Sequence, residues 1–388
     1  IDVGYYEIHN DIDEENDENE DEYEDSKETI MMNIEEWIEE CLESYYEMDL
    51  FKPRSWSNPH IRNPPLSNVS AQIDWLKSVP QPLQRTPEWY QFRNNLFSAS
   101  NLYKLFGSQS QYNSLICEKC SPVIERNENG NVNVDSPIHW GQKYEPVTLA
   151  YYEKLYTTIV HDFGCIKHPK YDFIGASPDG INVCPSSERY GRMVEVKNVV
   201  NRELTGIPLE AYWVQMQIQM ETCGLEECDF IETQFVEYDE TSFYNDAENP
   251  DRGVILYFID RTYKTNKPKY VYLNNDVSLE KNVIDQWIND TKLELFQTHI
   301  LYTPLYWHLE TFSCITVPRN RNWFENVLPH IEKAWNTILY ERVHGFEHRL
   351  PKKRTMSGDI NESNKVDKNY IGMCLIKLEP QENNANTM

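Results

Sequence analysis

Alternating apolar and polar positions predict a series of short strands in the middle of the chain. Runs rich in β-branched and aromatic residues lie at residues 158–166, 172–176, 193–199, 228–237 and 254–260. Glycine, asparagine and proline clusters separate these runs. A chain of 388 residues can bury a substantial core, and one α/β domain with appendages accounts for this pattern more simply than two independent cores.

Apolar residues that recur every three or four positions predict the helices. The longer ones are expected at residues 33–48, 138–152, 208–220, 278–298 and 322–343. The helix that starts at Pro208 should end before Gly224, because glycine favours the left-handed conformation of a helix end. We expect the last helix to kink at Pro329. Residues 53–87 are a Pro-rich connector.

The segment around Asp179 carries the strongest chemical signal. Asp179 precedes a strand pattern, and Glu195 and Lys197 follow on the next one. Because successive side chains of a strand point to opposite faces, Glu195 and Lys197 share one face while Val194 and Val196 share the other. The valines can therefore pack in the core while the charged groups converge.

Two glycines favour a hairpin in this segment. Gly180 permits a tight turn after Asp179, and Gly191 closes the polar excursion between the strands. The two strands would then return side by side, which places Asp179 beside Glu195.

Paired carboxylates suit Mg²⁺ or Mn²⁺, which prefer oxygen ligands over sulfur or imidazole. A metal-bound water is a nucleophile for a phosphodiester, and Lys197 would orient or deprotonate it and offset charge on the phosphate oxygens. The alternative is an ordinary hairpin with exposed Glu and Lys side chains, and these residues alone fit both interpretations.

Two helices offer further polar groups. Glu145 projects from the first and is a candidate third carboxylate, although a lone Glu on a helix is usually solvated. On the second, Tyr212, Gln215 and Gln219 fall on one side and Gln217 points elsewhere. That side either faces a polar site or belongs to a core helix whose glutamines bind backbone groups.

A candidate anion site lies upstream. Thr86 caps a helix on which Arg93 lies one turn past Trp89, and a short helix at residues 97–107 begins with hydroxyl groups. Helix N-termini bind phosphate readily, and an arginine adds a charged fork. The alternative is simple helix capping by Ser98.

In chain order, these segments resemble the phage lambda exonuclease and YqaJ-type viral recombinase family, which belongs to the restriction-endonuclease-like nuclease superfamily. The matching motifs are Trp89-x-x-x-Arg93 with Ser98-Ala99-Ser100, Trp140-Gly141-x-x-x-Glu145, Ser177-Pro178-Asp179-Gly180, Glu195-Val196-Lys197 and Tyr212-x-x-Gln215-x-Gln217. The resemblance covers residues 86–237 and is weak beyond them. It implies a restriction-endonuclease-like core in which helices flank a central mixed β-sheet, with helical additions at both ends.

The resemblance also implies a two-metal site with Mg²⁺ or Mn²⁺. Asp179 and Glu195 would be the central ligands, the backbone carbonyl of Val196 a further ligand, and Glu145 a ligand of the second ion.

Other roles are carried over in the same way. Lys197 would position or activate the water, and Gln215 would belong to the catalytic pocket with Asp179 and Glu195. The side chains expected to bind a terminal 5′-phosphate are Arg93, Ser98 and Ser100.

The function implied by this resemblance is exonucleolytic digestion of duplex DNA ends in the 5′→3′ direction. Such enzymes release 5′-mononucleotides and leave a 3′ single strand for recombination or repair. A homotrimer and a single-strand annealing partner are implied as well. The alternatives are an endonuclease of the same superfamily, a DNA-binding or assembly module without catalysis, and an RNA substrate.

Charge distribution reconciles this function with an acidic chain. The formal charge is −27, which is unfavourable for a DNA-binding protein. Residues 1–50 hold 21 Asp or Glu and one lysine, a net −20, so the rest of the chain carries only −7. We predict that residues 1–28 are a disordered acidic tail, which either aids solubility or competes with DNA phosphates for the entry groove.

The predicted organisation is therefore an acidic tail (1–28), a helical extension with the Pro-rich connector (29–85), a nuclease domain (86–345) and a polar tail (346–388). The Asn- and Tyr-rich composition would suit a large DNA virus of eukaryotes.

Location is predicted from what the sequence lacks. No apolar stretch is long enough to span a membrane, and no signal peptide precedes the acidic start, although Ile1 suggests a trimmed sequence. Nine irregularly spaced cysteines indicate reduced thiols and an intracellular protein, in the host cytoplasm or nucleus if viral. Cys117 and Cys120 have zinc-ligand spacing, but no two further ligands lie close to them in the sequence.

Overall fold

The computed structural model describes residues 66–82, 86–123, 132–263 and 267–350. Within these residues the α-helices are α1 (Leu66–Ser78), α2 (Pro87–Asn94), α3 (Ala99–Leu102), α4 (Gln109–Cys120), α5 (Pro137–Tyr156), α6 (Glu210–Cys223), α7 (Glu240–Asn245), α8 (Lys281–Leu295) and α9 (Arg321–His344). The strands are β1 (Phe97–Ser98), β2 (Val160–His161), β3 (Ile166–Lys167), β4 (Ile174–Ala176), β5 (Gly180–Asn182), β6 (Met193–Asn198), β7 (Glu227–Tyr238), β8 (Arg252–Asp260), β9 (Lys269–Tyr272) and β10 (His299–Pro318). Short 3₁₀ turns occur at Tyr103–Leu105 and Glu347–Arg349.

The central sheet has seven strands in the order β2-β5-β6-β7-β10-β8-β9. Strands β6 and β7 run parallel, whereas the other neighbouring pairs are antiparallel. A second, three-stranded sheet has the order β1-β4-β3. The prediction of a mixed sheet flanked by helices is thus confirmed.

Helices cover both faces of the central sheet. On one face, α5 packs its buried Tyr144 and Tyr152 over the sheet, where Val194 and Val196 of β6 meet it. On the other face, α1, α4, α6 and α9 share a large apolar core with the sheet. The alternation of β6 explains this arrangement, because its valines and its charged residues point to opposite faces.

Strand β10 is the main departure from the sequence-based expectation, in which the last strand lies at residues 254–260. Its twenty residues pair with β7 through Tyr306–Pro318 and with β8 through His299–His308. It therefore lies in the middle of the sheet although it comes last in the chain. Most of its side chains are half-buried, so the strand lacks the strong apolar alternation that would identify it.

Two other predicted elements are shorter than expected. The predicted strand 158–166 is divided into β2 and β3, because Gly164 takes a left-handed conformation (φ 64°) and donates its N–H to Asp162 Oδ1 at 2.7 Å. The predicted helix at residues 97–107 consists of β1, the four-residue α3 and a 3₁₀ turn.

The predicted Pro-rich connector contains helix α1. Its Val69, Ile73 and Leu76 are buried in the same core as α6 and α9. Helix α1 thus shares a core with α6 and α9, which lie within the predicted nuclease domain.

Helix α9 runs through Pro329 as one helix. No helix in the described part of the chain is long and apolar enough to cross a membrane. The predicted acidic tail, the helix at 33–48 and the polar tail from residue 351 onward lie outside the described residues.

Candidate active site

Strands β5 and β6 form the predicted hairpin at the centre of the site. Gly180 pairs with Val194 and Ile181 with Met193 in antiparallel register. Just before β5, Asp179 Oδ2 accepts a hydrogen bond from the backbone N–H of Val196 at 2.7 Å. The aspartate is therefore fixed against the strand that carries the second carboxylate, as the hairpin prediction required.

The two glycines of this hairpin act differently. Gly191 has φ 82°, which a residue with a side chain rarely adopts, so it allows the chain to turn into β6. Gly180 lies inside β5, where an added Cβ would overlap Cγ1 of Val160 on the neighbouring β2. The expected turn at Gly180 is thus wrong, because glycine is needed there for the close approach of two strands.

Glu195 is fully buried, and hydrogen bonds hold both of its oxygens. Gln215 Nε2 donates to Oε1 at 2.7 Å, and Lys197 Nζ forms a close ion pair with the same oxygen. Gln219 Nε2 donates to Oε2 at 2.8 Å. A carboxylate held at both oxygens has little freedom to rotate, so its lone pairs keep one direction.

Lys197 remains charged despite its environment. Burial lowers its pKa, but the carboxylates of Glu195 and Asp179 outweigh that effect and raise the pKa above the ordinary value of a lysine. In this arrangement the ammonium donates a hydrogen bond to Glu195 and supplies positive charge to the site.

Asp179 experiences the opposite balance. Burial raises its pKa well above the ordinary value, and the nearby charge of Glu195 raises it further. Lys197 lowers the pKa, and Glu145 raises it by a smaller amount. Converging carboxylates of this kind repel one another, and a divalent cation relieves such repulsion. The donor set, hard oxygens from three acids, fits Mg²⁺ or Mn²⁺.

The carboxylates are not arranged as a finished metal cage. In the described residues no group of three or more His, Cys, Asp or Glu side chains is placed to hold an ion. The physical reason is local: the backbone of Val196 holds Asp179, while Lys197 and two amides hold Glu195.

One cavity of about 760 Å³ brings the predicted residues together. Those that line it are Arg93, Ser98, Ser100, Glu145, Asp179, Glu195, Val196, Lys197 and Gln215. Tyr212 and Gln219 line it too, which confirms the predicted polar side of α6. Gln217 points away from the cavity, as predicted, and its side chain forms hydrogen bonds with the backbone of Pro318 and Asn320.

Arg93 and two serines lie in the same cavity. Arg93 Nη1 donates to Ser177 Oγ at 3.3 Å, and its guanidinium lies 4.7 Å from the centre of the Trp89 ring. The hydroxyls of Ser98 and Ser100 are 3.3 Å apart. Ser98 makes no side-chain capping bond, and the helix it precedes has only four residues. An anion would therefore meet side-chain donors here rather than a helix dipole.

Asn198 ties helix α5 to β6, which places Glu145 at the cavity. Its Oδ1 accepts the hydroxyls of Thr148 and Thr233 at 2.6 Å, and its Nδ2 donates to the carbonyl of Gly141 at 2.8 Å. Because Gly141 lies one turn before Glu145, this bond fixes the position of Glu145 relative to β6.

Sequence reasoning missed Arg202, which lines the cavity from the loop after β6. Its guanidinium pairs with the buried Glu232 and lies 5.8 Å from the ring centre of Tyr212, which also faces Lys197 Nζ at 4.9 Å. A loop arginine has no periodic signal, and its partner Glu232 was read only as part of a strand.

Comparison with known proteins finds a family model that matches the part of the chain around this cavity. Residues 88–226 match the YqaJ-like viral recombinase domain. This segment, less than half of the chain, is thus similar to a YqaJ-like domain. All nine predicted site residues fall inside it, together with Arg202 and Gln219. Strands β8, β9 and β10 and helices α7 to α9 lie outside it.

A viral relative extends the similarity beyond the YqaJ-like domain. The chain is 24% identical over 335 residues to "Uncharacterized protein R354" of Acanthamoeba polyphaga mimivirus, covering 77% of this chain and 60% of the relative. The chain thus spans less than two thirds of the length of that relative.

Similar solved structures include the alkaline exonuclease LHK-Exo from Laribacter hongkongensis, alone and in complex with dAMP. Each is 19% identical, with a TM-score of 0.36, and the match covers 68% of this chain and 95% of the exonuclease. A protein described as SSO0001 is 10% identical with a TM-score of 0.22, covering 60% of this chain and 88% of that one.

Proposed function

We propose that this protein is a metal-dependent exonuclease that digests duplex DNA from 5′ ends and leaves a 3′ single strand for recombination or repair. The observation that supports this proposal is one cavity in which the buried Glu195, two half-buried carboxylates and a lysine lie together with a separate arginine and serine group. The first set suits hydrolysis of a phosphodiester, and the second suits recognition of a terminal phosphate.

In this proposal Asp179, Glu195 and the carbonyl of Val196 hold one Mg²⁺ or Mn²⁺, and Glu145 contributes to a second. When bound, the ions supply an activated water and neutralise charge on the scissile phosphate. The role of Gln215 and Gln219 is to orient Glu195, since their amides donate to its two oxygens at 2.7 and 2.8 Å.

Lys197 stabilises the charge that develops during hydrolysis. The water oxygen forms a bond to phosphorus, the bond from phosphorus to the 3′ oxygen breaks, and that oxygen leaves with a proton as the 3′-hydroxyl of a 5′-mononucleotide. The ammonium of Lys197, kept charged by Glu195 and Asp179, would donate to the phosphate oxygens.

Arg93, Ser98 and Ser100 receive the terminal 5′-phosphate in this proposal. A guanidinium and two hydroxyls offer several donors to a phosphate, and such bonds to a charged acceptor are strong. Hydrolysis leaves a new 5′-phosphate on the remaining strand, so each cycle regenerates the group that these side chains bind.

The test compares a 5′-phosphorylated linear duplex, a 5′-hydroxyl linear duplex and a closed circular duplex, each with Mg²⁺ and with Mn²⁺. We expect rapid digestion of the first, slower digestion of the second and an intact circle. Cleavage of the circle would favour the endonuclease alternative. An intact linear duplex would favour a binding or assembly module.

Removing the anion donors sharpens the same test. Arg93→Ala should slow the first cleavage of the 5′-phosphorylated duplex to the rate of the first cleavage of the 5′-hydroxyl duplex, because in that first cycle only the phosphorylated end uses the guanidinium. Equal slowing of the first cleavage of both substrates would place Arg93 outside terminal-phosphate recognition.

A further inference from the structure

A row of tyrosines crosses the part of the sheet that lies outside the YqaJ-like domain. Tyr302 of β10, Tyr257 of β8 and Tyr270 of β9 are neighbours, with ring centres 4.9 Å and 5.4 Å apart. Tyr302 is 66% exposed, and the other two are half-buried. The three rings therefore form a continuous aromatic surface that solvent reaches.

Strand register explains why these rings share a face. Tyr257 is the direct partner of Tyr270, and Tyr302 occupies the irregularity in β10 next to Thr303, the partner of Tyr257. On β8 the flanking Leu256 and Phe258 point the opposite way, into a buried apolar cluster. The cluster that contains Leu256 and Phe258 thus uses the other face of these strands. On the tyrosine face, Tyr270 packs partly against the buried cluster of Ile255 and Trp307, and Tyr302 is the most exposed of the three rings.

The row leads to the rim of the cavity. The Tyr270 hydroxyl lies 2.7 Å from His139 Nε2, and the two rings are 5.7 Å apart. His139 belongs to the first turn of α5, where its neighbours Pro137 and Ile138 line the cavity and Ile138 is 77% exposed. A chain leaving the cavity past the start of α5 would therefore meet Tyr270 first and Tyr302 last.

Exposed rings in a row suit unpaired bases. Every base has a π-face, so stacking on tyrosine tolerates any sequence, and it contributes substantially to the binding of single strands. A paired base keeps its faces inside the duplex and cannot use such a surface.

We propose that Tyr302, Tyr257 and Tyr270 form a stacking platform for the unpaired strand of a nucleic acid whose other strand enters the cavity. The proposal rests on the proposed function, since only removal or separation of one strand produces an unpaired strand at this rim.

A second copy of the chain is the other occupant to consider. A stable protein interface covers about 800 Å² on each partner, whereas three partly buried tyrosines offer roughly 300 Å². The platform alone is too small for that, and its continuity with the cavity favours the nucleic acid strand.

Binding of a fluorescent single-stranded oligonucleotide of about 16 nucleotides, measured by anisotropy in EDTA, tests the platform. Tyr302→Ala and Tyr257→Ala should each weaken binding about tenfold, the loss of one stacked base, and Tyr302→Phe should bind like the natural protein. Tyr340→Ala is the matched control, because Tyr340 is a 62% exposed tyrosine on α9 that stacks on His344. Its affinity should not change.

A base analogue gives the position of the strand. With 2-aminopurine in the 3′ overhang of a duplex, fluorescence should be quenched by stacking, and Tyr302→Ala should restore it. Unchanged affinity and quenching in both alanine variants would overturn the proposal. A change in assembly mass by light scattering without a change in affinity would also overturn it, and would assign the face to contact between copies.

The two proposals fail separately. Loss of single-strand affinity in Tyr302→Ala, together with an intact linear duplex in Mg²⁺, would keep the platform and reject the exonuclease. Normal digestion with unchanged single-strand affinity in Tyr302→Ala would keep the exonuclease and reject the platform. Melting temperatures of the variants, with rescue by Tyr302→Phe, exclude misfolding as the cause.

Discussion

Two buried carboxylates on neighbouring strands show how a structural acid differs from an acid proposed to bind a metal. Glu195 of β6 and Asp229 of β7 are both fully buried. Asp229 accepts hydrogen bonds from Tyr152 at 2.6 Å and Thr316 at 2.9 Å and pairs with Arg189 and Arg192. Because Arg192 also pairs with Glu227, two guanidiniums balance two carboxylates here, and the site has no need for a further cation.

Around Glu195 negative charge outweighs positive charge. One lysine and two neutral amides hold it, while Asp179 and Glu145 add negative charge close by. It also lines a cavity, which Asp229 does not. A buried acid whose charge is balanced by cationic side chains stabilises the fold. A buried acid that lies among other acids at a cavity is suited to bind a cation.

The largest expected effect is on the functional side of this comparison. Asp179→Asn should lower DNA hydrolysis by about a thousandfold or more, because it removes charge from the proposed metal site. The melting temperature without metal should stay the same or rise, since the substitution relieves repulsion with Glu195. A large fall in melting temperature would mean that Asp179 is a structural acid.

Asp229→Asn should lower the stability of the fold and leave hydrolysis unchanged. The half-buried Arg189 would lose its carboxylate partner and the buried Arg192 would keep only Glu227, and breaking a buried ion pair costs about 3–5 kcal/mol in the free energy of unfolding. Chemical denaturation measures this loss, and hydrolysis per folded molecule at low temperature should be preserved. Lost hydrolysis in a stable protein would contradict the structural role of Asp229.

Two buried lysines extend the comparison to cations. Lys197 lies beside carboxylates, whereas Lys119 donates to the carbonyl of Arg93 at 2.8 Å, and its pKa is lowered to about 8, mainly by burial. The unfolded chain therefore binds more protons than the folded one above pH 8, so this lysine destabilises the fold fully below pH 8 and less as pH rises.

The free energy of unfolding of the natural protein, relative to Lys119→Met, should accordingly rise by up to about 3 kcal/mol between pH 8 and 10.5. Denaturation curves across this range measure the difference. A flat difference would mean that Lys119 keeps its ordinary pKa.

Two glutamines on α6 give the smallest effect and the most closely matched pair. Gln219→Leu removes the donor to Glu195 Oε2, so Mg²⁺ affinity should fall about ten- to a hundredfold. Gln217→Leu should leave that affinity unchanged and lower stability, because Gln217 bonds the backbone of Pro318 and Asn320. Calorimetric titration with Mg²⁺ distinguishes them, and equal losses would show that Gln219 acts only through packing.

Local patterns account for the parts of this site that the sequence predicts. The face shared by Glu195 and Lys197, the cap at Thr86 and the polar side of α6 each depend on residues a few positions apart. The prediction of a turn at Gly180 was wrong, because a glycine is needed there to avoid a clash with Val160 of β2, which lies elsewhere in the chain.

Distant pairings account for what the sequence does not reveal. Strand β10 enters the sheet only through its register with β7 and β8, and α1 joins the core from within a proline-rich segment. Arg202 with Glu232 and Asp229 with its arginines are likewise pairs of charges that ordinary strand and loop patterns leave unassigned. The tyrosine row depends on three strands meeting and could be seen only in the folded chain.

If the acids around Glu195 bind a divalent metal and hydrolyse DNA ends, release of nucleotides must depend on the metal and on Asp179. Mass spectrometry of the products from a 5′-phosphorylated linear duplex, with Mg²⁺ or with EDTA, measures this dependence. We expect 5′-mononucleotides from the natural protein in Mg²⁺ and none in EDTA or from Asp179→Asn. Equal release with and without Mg²⁺, or release by Asp179→Asn at the natural rate, would contradict it.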